Sequence, residues 1–195
     1  MRKSRAYHGP LDFLFILIIV FFDQISKWWA FEEILEVGQG VSFFAWLAEA
    51  PEYHVDYQHA FESILPFVNF VMVWNNGISF GILNSNGGAL PAIITLVTVA
   101  IIGIFSVWMV KTDNRALAGG LSMVIGGALG NLIDRLRFDA VADFLDFHVF
   151  GWHWPAFNLA DTCIVLGIGF ALFDSLFLEP QRRSLGRNER TRSKR

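Results

Sequence analysis

Seven polar side chains fall where an apolar chain can least accommodate them: Asp23 and Lys27, then Asn131, Asp134 and Arg135, then Asn158 and Asp161. Ionisable groups within hydrocarbon-soluble segments are costly and are kept for function. Two carboxylates sharing a low-dielectric site cannot readily both ionise, so they hold one proton between them and titrate as a pair. Such a pair hydrolyses an amide without a metal or a covalent adduct. One carboxylate takes a proton from water while the other carboxyl protonates the scissile carbonyl. Asp161 is a candidate for one member. The loop Leu136 to Pro155 brings Asp143, in Val141-Ala142-Asp143-Phe144, to a similar depth. Asp134 beside Arg135 reads more simply as an ion pair or interfacial anchor, and Asp139 and Asp146 as exposed loop acids. Ser26, Ser42, Ser79 and Ser122 have no histidine at a recognisable spacing, and Cys163 lies inside an apolar stretch, so a nucleophilic mechanism has little support. The histidines (His8, His54, His59, His148, His153) lack metal-ligand spacing. No metal and no cofactor is expected.

The elements that must position these groups are membrane helices. The chain has 195 residues, 54% of them hydrophobic, and a mean hydropathy of +0.45, too apolar for an ordinary soluble domain. Ala89 to Val110 carries no charge and matches the roughly 20 residues that cross a hydrocarbon core. Three further spans follow from the apolar runs, giving helices over 11–31, 89–110, 116–133 and 156–178 within one membrane domain, 1–180. A signal peptide at the first run is disfavoured, because no small-x-small cleavage site follows it. Twelve of the 15 lysines and arginines lie before the first helix, between the second and third, or in the tail 181–195, whereas Glu32 to Gly87 has seven acids and no lysine or arginine. Positive flanks stay cytoplasmic, so both termini are expected there, with the polar cluster near the outer face. The basic tail could touch anionic lipid and implies no nucleic-acid role.

The outer-face segment 32–88 is too long to be structureless. Val41 to Leu47, with Trp46, suits an interfacial segment. Phe67 to Trp74, followed by Asn75-Asn76-Gly77 and Ile78 to Leu83, predicts a small β element at the membrane surface, and Asn84 to Gly88 a turn into the second helix. Gly126-x-x-x-Gly130 fits close helix packing within one chain, and a monomer is expected. Trp28, Trp29, Trp108, Trp152 and Trp154 read as interfacial anchors. On a helix, Asn158 and Asp161 would share a face, as would Asn131 and Arg135.

Five segments resemble the lipoprotein signal peptidases (signal peptidase II): Asp23-Gln24-Ile25-Ser26-Lys27, Asn75-Asn76-Gly77-Ile78-Ser79-Phe80, Gly126 to Arg135, Val141 to Phe144 and Phe157-Asn158-Leu159-Ala160-Asp161. They occur in the family's order and cover most of Leu11 to Leu178. The resemblance implies a membrane all-α fold with four transmembrane helices, a small outer-face β element and an interfacial loop segment. It implies that Asp143 and Asp161 are the catalytic dyad of an aspartic endopeptidase, and it is the resemblance that selects Asp143 over Asp134, Asp139 and Asp146. Asp23, Asn75, Asn131, Arg135 and Asn158 would line or support the site, with Lys27, Gly77 and Asp134 from the same motifs as further supports. The implied substrate is a prolipoprotein whose cysteine already carries diacylglycerol, cut on that cysteine's amino side at a bacterial cytoplasmic (inner) membrane. Ile78-Ser79 departs from the family's usual alanine pair, and Val37 to Leu65 looks like added loop. A small ion-coupled transporter or channel is the alternative, since buried acids also carry ions. A presenilin-type protease lacks support because no Gly-x-Gly-Asp is present.

Overall fold

The computed structural model describes residues 9–38, 40–49, 61–77, 90–180 and 182. The expected strand over Ile78 to Leu83, the turn Asn84 to Gly88, the Ile78-Ser79 departure and nearly all of the tail lie outside them.

Helix α1 (Pro10–Trp28) opens on a proline, whose fixed φ and missing N–H suit a first helical turn. It continues as a π-helical segment, Trp29–Ile34, and stops at Glu36, which adopts a left-handed φ of 51°. The short helix α2 (Phe43–Ala48) is capped by Ser42, whose hydroxyl accepts from the Ala45 N–H. Strands β1 (Phe61–Leu65) and β2 (Val68–Asn75) precede helices α3 (Leu90–Lys111) and α4 (Arg115–Phe138). Strands β3 (Val141–Val149) and β4 (Trp152–His153) follow, then α5 (Leu159–Phe173) with a π-helical extension, Asp174–Leu178. Four helical segments, Pro10–Ile34, Pro91–Lys111, Arg115–Phe138 and Leu159–Leu178, are long and apolar enough to cross a membrane.

Helix α4 is the hub. Its glycines let α1 and α5 approach to backbone distance, which supplies dispersion contacts that hydrophobicity cannot supply in lipid. A β-carbon at Gly126 would lie 2.9 Å from the Ile19 side chain, and one at Gly127 would lie 2.4 Å from the Ala160 carbonyl oxygen. A β-carbon at Gly130 would likewise lie 2.4 Å from Asp23 Oδ2, so Gly126 and Gly130, the two glycines of the Gly-x-x-x-Gly spacing, both face neighbours within the chain. Gly127→Ala is expected to force α4 and α5 apart, costing about 1–3 kcal/mol by overpacking. Thermal unfolding in detergent micelles checks this, and an unchanged midpoint would refute it. Helix α3 instead packs peripherally, with Phe105 and Met109 against Leu117, Leu121 and Ala171.

Helix α4 runs further than the expected 116–133, because Arg135 and Arg137 favour its carboxyl-terminal dipole and Asp139, at φ 57°, closes it in the left-handed conformation. At its other end Asn114 caps the helix and donates 2.9 Å to Asp174, which Arg182 also grips at 2.6 Å. The start of α4 is thereby stapled to the end of α5.

The sheet has order β1-β2-β3-β4, every pair antiparallel. The β1–β2 hairpin turns at Pro66-Phe67, a turn the sequence reading did not single out, and the other partner of β2 is β3, drawn from the segment between α4 and α5. Period-2 patterning cannot reveal a partner so distant in sequence. The sheet packs on the π-helical end of α1 through Phe31, Met72, Ala142 and Phe144.

Trp46, expected at the interface, is fully buried. The Arg137 guanidinium lies 4.2 Å from its ring centroid and donates to its carbonyl oxygen, so this cation covers the indole and fixes α2 against α4.

Candidate active site

Strand β3 carries Asp143 and the first turn of α5 carries Asp161, and Asn158 joins them. Helix α5 begins at Leu159, later than the expected 156, because Asn158 is its N-cap rather than a helical residue. The Asn158 side-chain oxygen accepts from the Asp161 N–H at 3.0 Å, and the Asp161 carboxylate accepts from the Asn158 N–H at 3.2 Å. This reciprocal capping box, rather than a shared helical face, brings the two residues together. The Asn158 amide nitrogen, turned the other way, donates 2.7 Å to Asp143 Oδ1.

A second amide completes the bridge. Asn131 on α4 donates 2.8 Å to Asp161 Oδ1, while its own oxygen accepts from Asn158 Nδ2 at 3.2 Å. Asp143 Oδ2 accepts from Asn75 Nδ2 at 3.0 Å, across the β2–β3 pairing. Gly77, at φ 80°, donates its N–H 2.8 Å to the Asn75 oxygen, which leaves the Asn75 amide pointing at Asp143. That φ suits glycine, and a β-carbon there would also lie 2.2 Å from Ile94. Gly77 thus acts on the site by orienting Asn75.

Burial, reinforced by the negative charge of Asp161, raises the Asp143 carboxyl to about 7, although the Asn75 and Asn158 amides oppose the shift. Asp143 therefore carries a proton through most of the range below neutrality. Arg135 donates 3.4 Å to the Asn131 carbonyl, one turn back on α4. Its positive charge is favoured by the nearby carboxylates of Asp161, Asp134 and Asp143.

Deeper in the bundle lies a closed ionic cluster. The Lys27 ammonium contacts Asp23 at 2.7 Å and Asp134 at 2.7 Å, and all three side chains have 0% exposure. Asp134 is therefore a partner of Lys27, not the Arg135 pair or interfacial anchor that its sequence neighbour suggested. Gln24 donates to Asp134 at 2.8 Å and to Asp23 at 3.1 Å. Sequence reasoning passed over Gln24, although a glutamine in an apolar run is itself a signal.

Asp139 is exposed at the end of α4, as expected of a loop acid. Asp146 is not exposed. It is buried, accepting 2.8 Å from Asn69 and pairing at 2.9 Å with His153. Burial works to raise its pKa, but hydrogen bonds from Asn69 and His153 outweigh it and hold the group below the usual carboxylate range. Asp146 is thus held by Asn69 and His153, whereas Asp143 is held by Asn75 and Asn158. Cys163 is half-buried rather than fully enclosed.

A family model for Signal peptidase (SPase) II matches residues 15–177. The lipoprotein signal peptidase of Polynucleobacter necessarius subsp. necessarius is 34% identical over 174 residues, covering 88% of this chain and 90% of the relative. The chain belongs to the signal peptidase II family. A lipoprotein signal peptidase of Anaplasma phagocytophilum is 44% identical over 112 residues, 56% of this chain and 70% of that protein. A solved structure described as a bacterial membrane enzyme superposes with a TM-score of 0.65 at 25% identity, covering 91% of this chain and 94% of the other. Signal peptidase II is a protease, so the polar groups described above belong to a membrane-embedded peptidase of mostly helical fold with a small antiparallel sheet. The transporter alternative is not favoured.

Proposed function

We propose that Asp143 and Asp161 are the catalytic dyad of this peptidase, and that it removes signal peptides from prolipoproteins by cutting on the amino side of a diacylglyceryl-modified cysteine. The observation that carries this reading is the Asn158 side chain, which caps the helix bearing Asp161 and donates to Asp143. One amide thereby aligns a carboxylate on a strand with a carboxylate on a helix.

Asp143, its carboxyl raised to about 7, donates a proton to the scissile carbonyl oxygen as Asp161 takes one from the attacking water. Asn131 and Asn158 hold the carboxylates in register, and Arg135 faces the charge that develops in the transition state. A cavity of about 570 Å³ between α3 and the end of α4, lined by Leu96, Val99, Arg135 and Leu136, offers apolar wall for an acyl chain beside a cation. The enzyme would lie in the bacterial cytoplasmic membrane as a monomer, with one membrane domain over 1–180 and Asn75, Gly77 and the sheet at the outer face. Both termini and the basic segment 181–195 would then face the cytoplasm.

Two measurements test the proposal. A gel-shift assay with purified enzyme should cleave a diacylglyceryl-modified precursor and leave its unlipidated counterpart intact; equal turnover of both would remove the lipid from the reading. The rate should also fall about tenfold per pH unit once pH rises beyond about 7, as the proton on Asp143 is lost. A rate that climbs steadily to pH 9 would contradict an acid role for Asp143.

A further inference from the structure

Asp23, Lys27 and Asp134 are wholly enclosed, so none of them can meet a substrate, yet three charges in a membrane bundle require a reason. Their remaining contacts supply one. Asp23 Oδ1 accepts the Ala160 N–H at 3.0 Å, and Asp134 Oδ2 accepts the Ala142 N–H at 3.2 Å. Ala160 immediately precedes Asp161, and Ala142 immediately precedes Asp143.

We propose that Asp23 and Asp134, tied to each other by Lys27, are positioning residues that set the spacing of the two dyad carboxylates. This rests on the dyad reading above.

The local chemistry fits that role on both arms. Ala160 is the second residue of α5, so its N–H is one of the donors that a helix start leaves unpaired. Asn158 satisfies the following N–H, and the Ala160 donor is taken by a carboxylate from another helix, at the positive end of the helix dipole. Asp23 reaches it by passing Gly130, where a β-carbon would stand 2.4 Å from Asp23 Oδ2. Only glycine leaves that route open. On the other arm, Asp134 holds β3 one residue before Asp143. Lys27 then draws both carboxylates to one ammonium, and its 3.4 Å contact with Asn131 Oδ1 extends the hold to the amide that donates to Asp161. Strand and helix, which belong to different elements, are thereby referred to a single buried charge.

Asp134→Ala and Asp134→Asn distinguish positioning from bulk stability. Alanine removes the acceptor for Ala142, whereas asparagine can place an oxygen at the Oδ2 position. With a lipidated precursor, Asp134→Ala should lower kcat about 100-fold with KM changed less than threefold, the expected result of displacing a reacting group by about an ångström. Asp134→Asn should restore at least a tenfold share of that loss. Loss below tenfold in Asp134→Ala overturns the proposal, as does an asparagine variant no faster than alanine. A raised KM at unchanged kcat also overturns it, because Asp134 would then act on the substrate. If Asp134→Ala does not fold, Asp134→Asn decides alone: kcat within tenfold of the parent supports the proposal and a larger loss overturns it. Absence of cleavage by the unsubstituted enzyme would instead count against the proposed substrate.

Discussion

Asp143→Asn and Asp161→Asn should each cut turnover of a lipidated precursor at least about a thousandfold, the upper part of what a positioned acid or base contributes. An asparagine at 143 has no proton to give near neutrality, and one at 161 cannot take a proton from water. Neither change removes much bulk, so both variants should still fold in the membrane. Thermal unfolding in micelles checks this, because a collapsed protein would make lost activity uninformative. Glu62→Gln is the matched control. It neutralises an exposed carboxylate on β1, in the same sheet as Asp143, and should leave turnover within about twofold, as surface substitutions generally do. Full turnover by either dyad variant would end the aspartic reading, and inactivity of Glu62→Gln would show that charge removal anywhere near the sheet suffices.

Asn158 should separate stability from chemistry more cleanly than any other residue. It is fully buried and does two jobs with opposite ends of one amide. Its oxygen caps α5, and its nitrogen holds Asp143. Asn158→Ser keeps a good N-cap, because a hydroxyl can accept the same backbone N–H, but it is too short to span to Asp143. Asn158→Ala loses both interactions. The serine variant should therefore remain near the parent in stability yet lose about 100-fold in kcat, the scale of a displaced catalytic group. The alanine variant should lose similar activity and about 0.5–2 kcal/mol in stability besides. Serine with parental kcat would show that Asp143 needs no alignment from α5.

The helices and the polar residues were readable because membranes enforce both signals. Uncharged length marks a span, and a charge within a span stands out by its cost. Asp23, Lys27 and Asp161 were legible as costly groups on that ground alone. Pairings were not. Asp134 seemed tied to its neighbour Arg135, but its partner Lys27 lies on another helix, and nothing in local spacing points across a bundle. Asp146 looked like a solvent-facing acid because burial in a sheet depends on the partner strand, and β2 is far away in sequence. Helical periodicity correctly grouped Asn158 with Asp161 but gave the wrong cause, since Asn158 precedes the helix. Choosing Asp143 among four nearby acids required the family resemblance. The geometry now adds the Asn75 and Asn158 bonds that set Asp143 apart.

The pairing of β2 with β3 also bears on when the peptidase can first cut. Asn75 and Asp143 are 68 residues apart, and both α3 and α4 lie between them. A ribosome delivers Asn75 long before its partner, and contacts of such separation form late in folding. In the proposed orientation, Asp143 can reach Asn75 only after α3 and α4 have both crossed the bilayer. Asp161 then arrives with α5. An unfinished nascent chain therefore holds no assembled Asp143–Asp161 pair, so under the proposed dyad proteolytic competence coincides with insertion of α5.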